Sequence, residues 1–77
     1  MNQARRKSLE EIRTKLEDAK ADLEMLRDEE QEYLDNIPQS LQGGDKASAA
    51  EDAVSSMDEA INSLEEATSS VDEAATN

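Results

Sequence analysis

From Glu51 to Ala74 the chain reads EDAVSSMDEAINSLEEATSSVDEA, one seven-residue phrase stated three times and begun a fourth. Each phrase holds two acids, an Ala, an apolar residue or Thr, a small polar pair and another apolar residue, with no Lys or Arg. Residues three and four apart share one side of an α-helix, so a period of seven keeps a continuous apolar stripe on one face. That stripe is Ala47, Ala50, Val54, Met57, Ile61, Leu64, Thr68, Val71 and Ala75. Beside it runs a second column, Ala53, Ala60, Ala67 and Ala74, small enough for a partner helix to come close. A stripe of this kind has to be covered by another helix.

The same spacing runs upstream. Leu9, Ile12, Leu16, Ala19, Leu23, Leu26, Tyr33 and Ile37 fall at alternating steps of three and four, with Glu30 in the single gap. Glu30 is expected to lay its stem across the seam and its carboxylate in water; the alternative is a buried, register-setting polar group. Glu, Lys, Arg and Gln fill the other positions and favour helix. The pattern breaks at DNIPQSLQGGD. Pro38 disfavours helical geometry at Ile37, and Gly43–Gly44 loosen the chain. Asp45 offers an N-cap, and Ser48-x-x-Glu51 a capping box one turn later.

The two stripes match: Leu9 to Ile37 and Ala47 to Ala75 both cover 28 steps, roughly 42 Å at 1.5 Å per residue. The predicted fold is all-α, an antiparallel, coiled-coil-like two-helix hairpin forming one unit over residues 1–77. Helix spans near 2–36 and 45–75 flank a turn at 37–44. Ile37 should lie near Ala47, Leu9 near Ala75, Ala19 near Leu64 and Leu16 near Thr68. The predicted seam is Leu9, Ile12, Leu16, Leu23, Leu26, Tyr33 and Ile37 against Val54, Met57, Ile61, Leu64 and Val71. Apolar residues are 35% of the chain, and 11 of them are Ala, so this seam is thin. Small chains without disulfides or metals lean on self-association. A homodimer or larger helical bundle is therefore expected, with Met25, Leu34 and Leu41 as candidate second contacts.

The chemistry available is narrow. There is no His and no Cys, which removes the usual neutral-pH proton carrier and thiol nucleophile. The Cys and His ligand sets of structural zinc are excluded. Serines are plentiful but none sits in a strand–turn–helix elbow. No catalytic, cofactor or metal site is expected, and the chain reads as a non-enzyme.

Charge is the strongest remaining signal. Twenty acids against eight bases give a net of −12. Pairs at Glu51/Asp52, Asp58/Glu59, Glu65/Glu66 and Asp72/Glu73 recur every seven residues, about 10.5 Å apart on a helix. Eight charges over about 33 Å is one per ~4 Å, near the ~3.4 Å of a single phosphate strand. Direct nucleic-acid binding is disfavoured, because phosphates would be repelled. The expected partner is a basic protein surface, including one that normally binds nucleic acid, with the eight acids as the contact. The alternative is a structural or assembly hairpin whose acids only keep it in solution.

No apolar run reaches membrane-spanning length, so no membrane partner is expected. The basic opening Ala4–Lys7 has no apolar segment after it, which argues against a secretory signal. The expected location is the cytoplasm.

Arg5–Lys7, Leu9–Ile12, the junction Glu29–Gly43 (EEQEYLDNIPQSLQG) and the heptads of Ala50–Ala67 carry a resemblance. The chain resembles uncharacterised short acidic helical-hairpin proteins of bacterial, plasmid and phage genomes, and the DNIP…LQG junction is the more specific element. The resemblance implies a small non-enzymatic helical protein associated with mobile elements, working in the host cytoplasm if phage-encoded. It transfers no site residues. It also makes antagonism of a host defence or nucleic-acid enzyme a reasonable expectation.

Overall fold

The computed structural model describes residues 1–77 as two helices, α1 (Gln3–Asp35) and α2 (Asp45–Thr76), joined by a short 3-10 turn at Gln39–Leu41. They fold back along each other into a slab whose Cα atoms span 60 × 14 × 12 Å. The Met1 ammonium donates to the Asn77 carbonyl oxygen at 3.3 Å, so equal helix lengths bring the two tips level. Neither helix is long and apolar enough to cross a membrane.

Local chemistry sets the helix ends. Asn2 caps α1, its Oδ1 accepting from the Arg5 N–H at 2.8 Å, a standard use of Asn at this position. Pro38 adopts φ −53° and ψ 141°, which ends helical geometry. The turn is then closed by the Leu41 N–H donating to the Pro38 carbonyl at 2.8 Å and the Gly44 N–H to the Leu41 carbonyl at 3.0 Å. Gly44, not Asp45, is the N-cap of α2, with φ −83° and ψ 176° and no side-chain cap. A Cβ on Gly44 would sit 3.2 Å from the Leu41 carbonyl oxygen, so close approach is what asks for glycine there. Asp45 instead places its charge in the first turn, where the positive end of the helix dipole favours it. Ser48 already donates its backbone N–H to the Gly44 carbonyl at 3.1 Å. It lies inside the helix, so the Ser48–Glu51 capping box does not form.

The core is as thin as the Ala content implies. Ala47, Ala50 and Ile61 are the buried residues, all on α2. Leu9, Leu16 and Leu23 on α1 and Ile37 just past its end are half-buried, as are Val54, Met57, Leu64 and Val71 on α2.

The remaining α1 seam residues differ from expectation. Ile12, Leu26 and Tyr33 are 44%, 51% and 47% exposed. The half-buried positions of α1 are instead Lys20, Glu24, Arg27, Glu30, Gln31 and Leu34, alongside Leu9, Leu16 and Leu23. The helix is rotated by about half a residue's turn about the same anchor positions, so the step of four precedes the step of three. Two physical gains accompany the rotation. Basic side chains swing toward acids on α2, and Leu34 enters the seam rather than serving as an outer contact. Met25 and Leu41 stay 56% and 60% exposed.

The slab therefore has two unlike faces. One presents Ile12, Ala19, Leu26 and Tyr33 beside the Ala53, Ala60, Ala67 and Ala74 column, and contains an open groove lined by Leu26, Tyr33, Ala50 and Met57 together with the charged Glu29, Glu30 and Lys46. The other carries charges of both signs.

Candidate acidic binding face

On the charged face, three cross-helix ion pairs form a ladder. Arg13 Nε lies 2.6 Å from Asp72 Oδ1, Lys20 Nζ 3.0 Å from Glu65 Oε1, and Arg27 Nη1 2.9 Å from Asp58 Oδ1. The residue numbers of each pair total 85, so each rung is one heptad from the next and all share one antiparallel register. Arg13 also reaches Glu17 Oε1 at 3.2 Å, one turn along α1. Arg27 holds Asp28 Oδ1 at 3.1 Å. The hydrogen bond to Glu65 raises the Lys20 pKa above its ordinary 10.5; desolvation opposes it, and the nearby charges of Glu65, Glu24 and Glu17 add to the rise. Hydrogen bonds to Asp58 and then Asp28 do the same for Arg27. The ladder stops toward the turn, where Leu34 occupies the place of a fourth base. Glu51, next in line on α2, makes no ion pair.

This ladder divides the eight acids singled out in the sequence. Asp58, Glu65 and Asp72 flank the seam and are engaged by the chain's own bases. Asp52, Glu59, Glu66 and Glu73 lie a further 100° round α2; all four are exposed and unpaired. Five unpaired acids over about 33 Å is one per roughly 7 Å, half the linear density of a phosphate strand at ~3.4 Å. The acids line up along the helix rather than converging, and no group of three or more comes together as metal ligands would.

The sequence reading missed the basic column. Arg6, Arg13, Lys20 and Arg27 recur every seven residues, and the last three are in phase with the acids they face. That spacing is legible in the sequence once each base is assigned its heptad position.

No family model, curated protein or solved structure matches the chain.

Proposed function

We propose that this chain is a non-catalytic binding protein that modulates or inhibits a basic protein by presenting its free acidic column to it. One observation carries the reading: Asp52, Glu59, Glu66 and Glu73 stand exposed, evenly spaced and unneutralised on a helix with no base after Lys46. An acidic row of this kind raises the local concentration of cationic surfaces and steers them into register. The diluted charge density favours a basic protein patch over close imitation of a phosphate strand. The junction at Glu29–Gly43 supports a phage or mobile-element setting, with the host cytoplasm as the place of action.

The test is affinity capture from host lysate at low and high salt, comparing the parent with an Asp52→Asn, Glu59→Gln, Glu66→Gln, Glu73→Gln variant. The parent should retain partners that salt releases, and the variant should lose them. Identical captures by both would remove the acidic column from the function.

A second reading, an assembly hairpin, is favoured by a different observation: the apolar face opposite the ladder has nothing covering it.

A further inference from the structure

We propose that a second copy of this chain seats on that apolar face, giving an antiparallel four-helix bundle in which each α1 lies over the other copy's α2.

The area argument comes first. A folded monomer of 8.5 kDa exposes about 4,650 Å² by the scaling of surface with mass. This chain exposes 5610 Å², about 950 Å² more than a compact monomer of its mass, as its elongated shape leaves one apolar flank open. A standard stable interface covers about 800 Å² on each partner. The slab face offers about that much, from roughly 42 Å of helix and two helix diameters of roughly 10 Å each.

Self-complementarity identifies the occupant. A half-turn about the long axis places the second copy's Ala column over the first copy's large apolar column. Ile12 falls opposite Ala74, Leu26 opposite Ala60, and Tyr33 opposite Ala53. The residue numbers of these pairs total 86, within one of the 85 that marks equal height inside the hairpin. The columns therefore meet with almost no slide along the axis, and bulky residues meet small ones as close packing prefers. Every neighbouring helix pair is antiparallel, as in up-down bundles.

Charge allows the approach. The eight paired-position acids of α2 lie off this face, and its rim on α2 is Ser56, Ser63 and Ser70. The α1 rim residues Glu29, Asp22 and Lys15 come level with those serines rather than with acids. The free acidic columns end up on the outside of the bundle, about two helix diameters apart. That exceeds the ~8 Å screening length at physiological salt.

Sedimentation equilibrium tests the association. The parent should sediment at about twice 8.5 kDa at tens of micromolar. Leu26→Glu should shift it to the single-chain mass at the same concentration. Met25→Glu, one residue away on the outer side of α1, should leave the dimer intact. Circular dichroism on each variant checks that the hairpin is retained. The chain has no Cys, so crosslinking tests the arrangement. Mixing Tyr33→Cys with Ala53→Cys chains should give a mixed disulfide, whereas Ile12→Cys with Tyr33→Cys should not. A monomeric parent at millimolar concentration, equal sensitivity to Met25→Glu, or preferential 12–33 crosslinks would overturn the proposal.

Discussion

Arg27 joins the two helices and one of its own neighbours at once: its Nη1 sits 2.9 Å from Asp58 Oδ1 on α2, and its Nη2 3.1 Å from Asp28 Oδ1 on α1. Its side chain is 28% exposed, the most sheltered base of the ladder. It fixes the rotation of α1, because turning Leu26 into the seam would swing Arg27 away from Asp58. The first expectation is therefore directional. Arg27→Glu should repel Asp58, break this rung and relax α1 toward burial of Leu26. In solution NMR, Leu26 should then gain contacts with α2, and in Arg27→Lys it should not.

Arg13 and Asp72 are more exposed, at 44% and 47%. Exposed pairs of this kind contribute about 0.2–1 kcal/mol. A double-mutant cycle with Arg13→Ala and Asp72→Ala, read by urea unfolding, should return a coupling in that range at low salt and near zero at 1 M salt. A coupling unchanged by salt would mean that packing rather than charge joins the two.

The buried residues set the larger magnitudes. Ile61 is 5% exposed, and Ile→Ala in a packed core costs about 2–5 kcal/mol. Ile61→Ala should therefore remove most of the cooperative melting transition. Met25→Ala, on the outer side of α1, should stay within about 0.5 kcal/mol of the parent.

Alkaline pH should act through Lys20. Its folded pKa lies above the ordinary 10.5, so its contribution is complete below about pH 10.5 and is lost as pH rises through the raised value. Thermal melts across the alkaline range should show a fall in stability that Lys20→Met lacks and Lys20→Arg shifts higher. A fall of equal size in Lys20→Met would assign it to other groups.

The two glycines should respond differently. Neither has positive φ, and a Cβ at Gly43 meets nothing within 4 Å. Gly43→Ala should stabilise by about 0.4–1 kcal/mol through the unfolded chain. At Gly44 the Leu41 carbonyl must give way, so Gly44→Ala should stabilise less or destabilise. Paired denaturation curves decide between them.

The all-α hairpin was legible because Pro38 interrupts two apolar stripes of equal reach, and few other arrangements bury both. Ile61, Leu64 and Leu23 were placed correctly for the same reason. Ile12, Leu26 and Tyr33 were misplaced because apolar spacing alone leaves α1 free to rotate by a fraction of a turn. The choice depends on Arg13, Lys20 and Arg27 meeting acids far along the chain, as little as 31 residues away for Arg27 and Asp58, and a stripe count on one helix does not see them. The same omission made the eight acids look like one face, when Asp58, Glu65 and Asp72 are taken up internally. The missed capping box has a local cause, since Gly44 begins α2 a full turn before Ser48.

Ala47 and Ala50, the most deeply enclosed side chains, both lie within a turn or two of the bend, and past Ile61 toward the tips nothing is buried. The hairpin thus works like a pair of tweezers, welded at the bend and sprung at the points. Toward the points the seam is closed only by half-buried Leu9, Leu16, Leu64 and Val71 and by rungs that ions can loosen. A cationic visitor competing for Asp72 or Glu65 would prise the points apart first, while the bend keeps the prongs aligned for reclosure.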